Sequence, residues 1–102
     1  MSRETARPGG DAHSDVDRVW RAREGLLYRR LVDGGILYDD LAQEVHHFNA
    51  TAALVWEQCN PGGRLADLVA RLCERYEVDA TRARVDARAI LQELSRAGLL
   101  QP

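Results

Sequence analysis

The chain has 102 residues, is 45% hydrophobic and 29% charged, and carries a formal net charge of −2; this balance suits one small folded domain and excludes a wholly disordered chain. All 14 basic residues are arginine, so lysine Schiff-base chemistry is excluded, and the acidic balance provides no global positive field for nucleic acid. No apolar run approaches the ~18 residues of a membrane span and no signal-peptide pattern opens the chain, so a cytoplasmic protein is expected.

Residues 1–17 contain Pro8, Gly9, Gly10 and alternating charges, with Val16 as their first β-branched apolar residue. They have nothing to bury and read as a disordered tail, with the folded domain expected over 18–102. Val19 and Trp20 open that domain on an extended segment whose Arg21 and Arg23 are expected to face outward. Leu26 to Val32 is rich in strand-forming residues. Asp33-Gly34-Gly35 follows as a hairpin signal, because glycine supplies the positive φ of tight turns. Ile36 to Tyr38 predicts a second strand, and Glu44 to Phe48 a third. Alternation places His46 and Phe48 on one face and Val45 and His47 on the other. The result is a three-stranded antiparallel meander whose last strand is an open edge.

Three helices are predicted after the meander. Asn49 is suited to cap the first, and Ala52, Val55, Trp56 and Cys59 share one face, with Trp56 expected to look toward the second helix. Asn60-Pro61-Gly62-Gly63 ends it. The second carries the stripe Leu65, Leu68, Val69, Leu72, Cys73 and Tyr76. Asp79 is expected to cap the third, whose inner stripe is Ala83, Ala87, Ile90, Leu91 and Leu94. Gly98 fits a left-handed C-cap, with Leu99 and Leu100 folding back over the last turn. The predicted class is α+β.

No catalytic constellation emerges. The chain has no phosphate loop between strand and helix, no nucleophile elbow, and no paired carboxylates beyond Asp39-Asp40, which read as exposed. His46 and His47 are adjacent on a strand and point to opposite faces, so they cannot clamp one metal jointly. Cys59 and Cys73 lack a zinc-ligand spacing and read as small core residues. Neither an enzyme nor a metal or other cofactor is expected.

The segment from Leu26 to Leu100 resembles the PqqD-like family, the recognition elements of ribosomally made, post-translationally modified peptides (RiPPs). Phe48-Asn49-Ala50-Thr51-Ala52-Ala53-Leu54-Val55-Trp56 is similar to the family's strand-to-helix junction. Leu65-Ala66-Asp67-Leu68-Val69-Ala70-Arg71-Leu72, with Tyr76 and Val78, is similar to its second helix. Val85-Asp86-Ala87-Arg88-Ala89-Ile90-Leu91, with Leu94 and Gly98-Leu99-Leu100, is similar to its last helix and terminus. Phe48 stands where leucine is usual, and Arg64 where threonine or serine often caps the second helix.

The resemblance implies a winged helix-turn-helix fold, three strands followed by three helices, that holds a precursor's leader peptide between the third strand and the third helix. It implies a non-catalytic peptide chaperone that presents the precursor to a maturation enzyme, such as a radical S-adenosylmethionine enzyme or a leader peptidase. An open edge at Glu44, Val45, His46, His47 and Phe48 suits strand addition by an extended peptide. Val85, Ala89 and Gln92 recur at i, i+4 and i+7, and Arg82, Arg84 and Arg88 are candidate partners for leader carboxylates. Two alternatives remain: DNA binding through the second and third helices, and a protein–protein adaptor. The nearby acids Glu74, Glu77, Asp79 and Asp86 and the lack of lysine weigh against DNA, so neither nucleic acid nor membrane is an expected partner.

Overall fold

A computed structural model describes residues 18–101, so the expected disordered tail lies outside the described residues. The chain order is β1 (Val19–Trp20), β2 (Leu26–Leu31), β3 (Gly34–Asp39), β4 (Glu44–Asn49), α1 (Ala50–Gln58), β5 (Gly63–Arg64), α2 (Leu65–Tyr76) and α3 (Ala80–Arg96). The class is α+β as expected, with β2-β3-β4 as the antiparallel meander. A second, two-stranded sheet pairs β1 with β5. Sequence reasoning missed this pairing because two-residue strands carry no periodicity to read, and Gly62-Gly63 signals a loop.

The hairpin between β2 and β3 differs from expectation. Leu31 pairs directly with Gly34, so Val32 and Asp33 form the turn and both glycines belong to β3. Neither glycine has positive φ. They serve close approach instead. A Cβ on Gly35 would lie 2.5–2.8 Å from the Tyr28 ring, and one on Gly34 would lie 2.0 Å from the Phe48 carbonyl oxygen.

Cross-strand register puts Tyr28, Leu37 and His46 in one row and Arg30, Gly35 and Phe48 in the next. These rows form the sheet's inner face, which α1 covers. Trp56 is buried and packs against Phe48 and Tyr28, with ring centroids 5.9 and 6.3 Å away. The indole thus engages the sheet, where sequence analysis had aimed it at the second helix. The core continues through Leu65, Leu68 and Leu72 of α2 and Ala83, Ala87, Leu91 and Leu94 of α3. Ile90 is only half-buried, at the margin of the predicted inner stripe.

Caps follow the sequence signals closely. The Asn49 side chain accepts from the Ala52 amide at 2.8 Å, and Asp79 accepts from Arg82 at 2.8 Å. Arg64 precedes α2 without a side-chain cap, and Glu77 ends it in the left-handed region at φ 53°. After α3, Gly98 has φ 77°. The Gly98 and Leu99 amides donate to the Ser95 and Leu94 carbonyls, which makes a Schellman turn that folds buried Leu99 back over the helix.

Two expectations about charge are corrected. Asp39 is buried rather than exposed, and Arg23 points inward to meet it, Nη2 to Oδ2 at 2.6 Å. Arg23 Nε also donates to the Gly98 carbonyl at 2.8 Å. Desolvation of a carboxylate at a sheet end is tolerable only with such a partner. On the other side of the sheet's inner face, Arg30 donates to both Glu57 carboxylate oxygens and the Tyr28 hydroxyl donates to Oε2. The Arg30 hydrogen bonds, assisted by that of Tyr28, hold the Glu57 carboxyl below its ordinary range against the opposing effect of burial. Burial, reinforced by Glu57, pushes the Tyr28 phenol up to about 12.

Two outcomes are expected. Trp56→Ala should cost ~3–5 kcal/mol, a large share of the stability of so small a domain, read as the midpoint of urea unfolding; a wild-type midpoint would contradict the packing. Glu57 has a depressed folded pKa, so its contribution is present above the unfolded value of about 4.3 and disappears as pH falls through the folded one. Glu57→Gln should therefore lower the unfolding midpoint more at about pH 7 than at about pH 3, because the wild-type carboxylate loses its advantage as the pH falls below the unfolded value. An equal loss at both pH values would mean that packing, not charge, carries the effect.

Candidate functional site

The chain passes from β4 into α1 without a loop: Asn49 is both the last strand residue and the helix cap. Among the described residues no further strand follows on the meander, so there β4 pairs only with β3 and its other edge is open. The backbone orientation at that edge can be read from Gly34. The Phe48 carbonyl oxygen, nearer the Gly34 Cβ position than its own carbon, points toward β3. Alternation along an antiparallel ladder then turns the amides and carbonyls of Val45 and His47 away from β3, toward the open side. These two residues supply the strand's unpaired donors and acceptors.

Beside this edge lies a groove of ≈ 480 Å³, walled by β4 on one side and α3 on the other. From the strand, Val45, His46, His47 and Phe48 line it; from α3, Ala89, Ile90, Glu93 and Leu94 do. Ala52 of α1 and Ala97 and Leu99 beyond α3 complete the lining. Small side chains at Ala52, Ala89 and Ala97 leave the space, and Phe48, Ile90, Leu94 and Leu99 make it apolar. Val45 is 52% exposed, which suits a surface awaiting cover better than a finished one. The polar contributions are few. His46 Nε2 is buried without a hydrogen bond and lies 3.6 Å from Glu44 Oε1, while Glu93 pairs with Arg96 at 3.2 Å.

The sequence-derived candidates divide across this site. Val45, His46, His47, Phe48 and Ala89 line the groove together. Glu44 stands at the start of β4. Arg84, Val85, Arg88 and Gln92 are exposed on α3 and are absent from the groove lining. The stripe Val85, Ala89 and Gln92 runs along the helix side away from the buried positions, and only Ala89 reaches the rim. Sequence reasoning missed Glu93 and Ala97, which follow Ala89 and Ile90 at helical spacing. The available signal was Ile90, which flanks the buried stripe on the strand side. Arg82 pairs with Asp86 at 3.2 Å.

Among the described residues no group of three His, Cys, Asp or Glu is placed to hold a metal ion. Cys59 and Cys73 are free thiols, and burial pushes Cys59 up to about 12, far from a reactive thiolate. Among the described residues no helix is long and apolar enough to cross a membrane.

Comparison with known proteins matches this architecture. The chain is similar to a lasso peptide synthetase B1 complexed with its leader peptide, with 30% identity, a TM-score of 0.72, and coverage of 81% of this chain and 98% of that one. It is similar in fold to TbiB1 in complex with the TbiA(beta) leader peptide, at 21% identity and TM-score 0.72 over 79% of this chain and 94% of that one. It is also similar in fold to the PqqD truncation of Methylobacterium extorquens PqqCD, a stand-alone RiPP recognition element, at 16% identity and TM-score 0.70 over 85% and 93% of the two chains. No curated protein matches by sequence. The family model for coenzyme PQQ synthesis protein D matches residues 34–100, two thirds of the sequence and every element from β3 onward, and the chain belongs to the PqqD family.

Proposed function

We propose that this protein is a non-catalytic peptide chaperone, which captures the leader of a ribosomally made precursor and presents the rest to a maturation enzyme. The observation that carries this reading is the free edge of β4 opening onto an apolar groove against α3. An extended leader adds as a strand, exchanging backbone hydrogen bonds with Val45 and His47, and sets alternate side chains into the groove. Backbone pairing supplies affinity and register. Selectivity comes from what fits beside Phe48, Ala52, Ala89 and Ala97, with His46 Nε2 available as a buried polar contact. Two similar proteins are described in complex with leader peptides, which supports the assignment. Arg84, Val85, Arg88 and Gln92 act, in this reading, only on a leader that extends past the groove onto the outer side of α3, and Glu44 meets the leader at the start of the strand. In this reading the chemistry belongs to the partner, a radical S-adenosylmethionine enzyme or leader peptidase. Presentation of this kind belongs in the cytoplasm, where precursor and enzyme meet.

Two substitutions test the groove from its two walls. Ala89→Trp, at an exposed position, should fill the groove and weaken binding of the cognate leader at least about tenfold by calorimetry, with little change in the unfolding midpoint. His47→Pro removes an outward amide without touching the β3 ladder and should weaken binding similarly. Normal affinity in both variants would place the leader elsewhere. Duplex DNA offers a separate check: binding should be weak, indifferent to sequence and lost at moderate salt, and a tight, selective duplex complex would favour the DNA-binding alternative.

A further inference from the structure

A second cavity, of ≈ 330 Å³, lies between the β2–β3 hairpin, α1 and α2. Its chemistry differs from that of the leader groove. Three arginines line it, Arg30, Arg71 and Arg75, against one acid, Glu57, on a chain whose overall charge is negative. Arg30 and Glu57 neutralise each other as a hydrogen-bonded pair, so they form a fixed polar wall. Arg71 is shared weakly with Glu74 at 3.4 Å. Arg75 lies over the Tyr76 ring, 5.9 Å from its centroid, and no carboxylate among the described residues is paired with it. The local excess of positive charge is therefore carried by two adjacent turns of α2.

The same mouth is apolar. Val32 at the hairpin tip is 100% exposed, Leu31 42% and Tyr76 37%. An inorganic anion would use the arginines and leave these side chains in water. A nucleic-acid strand would need a longer cationic track than one helical turn provides. Aliphatic and aromatic surface beside guanidinium groups matches a protein segment that alternates acidic and aliphatic residues.

Position adds a second argument. Ala50, Ala53, Leu54 and Glu57 line this cavity from α1, recurring at i, i+3, i+4 and i+7 on one face. Ala52, which lines the leader groove, falls on the opposite face of the same helix. An occupant of one cavity leaves the other clear. We propose that the Arg71–Arg75 cavity is a docking site for an acidic, aliphatic segment of a partner protein, used while the leader groove is filled. The simultaneous occupancy rests on the leader reading; the docking site itself does not.

The probe is an acetylated, amidated hexapeptide of alternating leucine and glutamate, titrated into the isotope-labelled full-length chain and followed by heteronuclear NMR. The expected result is saturable shifts at Leu31, Val32, Leu54 and Tyr76 and at the Arg75 side-chain Nε–H, with β4 and the groove wall of α3 unmoved. Lysine–leucine and glutamate–serine hexapeptides should bind distinctly more weakly. Arg71→Gln with Arg75→Gln should weaken the leucine–glutamate peptide about fivefold, the loss expected for two exposed charge pairs, without altering the spectrum elsewhere. Absence of saturable shifts, equal binding of the lysine peptide, an unaffected double variant, or shifts centred on β4 would each overturn the docking site. Repeating the titration with the cognate leader bound separates the two readings: docking that persists supports simultaneous use, and docking that is displaced overturns simultaneity while leaving leader binding established.

Discussion

The missing side chain at Gly35 sets the rest of the structure. It lies between Arg30 and Phe48 across the sheet, and a Cβ there would collide with the Tyr28 ring. Its absence lets Tyr28 lean over β3 and approach Phe48, with ring centroids 6.4 Å apart. Trp56 then seats on both rings, and α1 lies directly on the sheet. Because Asn49 ends β4 and caps α1 at once, this seating also fixes where β4 stops, and among the described residues no strand pairs with its outer edge. The open edge is thus a consequence of how the core closes. A larger residue at position 35 would move Tyr28, lift the helix and disturb the edge together.

The parts of this design that obey local rules were legible in the sequence. The three long strands, the three helices, the Asn49 and Asp79 caps and the Gly98 turn each follow from a few adjacent residues. The open edge followed from strand order alone. Features that depend on distant partners were not legible. Asp39 read as exposed because its partner Arg23 is 16 residues away and sits outside the meander. Gly34 and Gly35 read as turn residues because close approach by Phe48 and Tyr28 is invisible in sequence. The helix side of the groove was displaced for a similar reason: a three-residue stripe specifies a face only to within about one residue's rotation, ~100°. Only Ala89 lay within that margin.

Charge is arranged around the groove rather than within it. Two exposed arginines of α3 have acidic neighbours on the same helix: Arg82 faces Asp86 and Arg96 faces Glu93, each at 3.2 Å. Such pairs contribute little stability individually, but they limit the field that α3 presents to an anionic backbone. A helix-turn-helix that reads DNA needs the reverse, cations on the exposed helix free to replace counterions. Here the exposed helix pairs two of its cations locally, and the open surface beside it is apolar. Function follows the site and not the architecture.

Arg23 ties the end of the sheet to the turn after the third helix. Its guanidinium bonds Asp39, the last residue of β3, and the carbonyl of Gly98, just beyond α3. The backbone beside it is tied in as well: the Arg23 amide donates to Leu99, and the Gln101 amide donates to Arg21. Leu99 is buried and also lines the groove. This part-buried ion pair and a short braid of backbone bonds tie the end of β3 to the turn after α3. A carboxylate as buried as Asp39 would be costly alone, which makes the brace self-enforcing, because displacing Arg23 strands the charge. Packing alone would favour collapse onto the apolar lining, and this polar cross-brace opposes it.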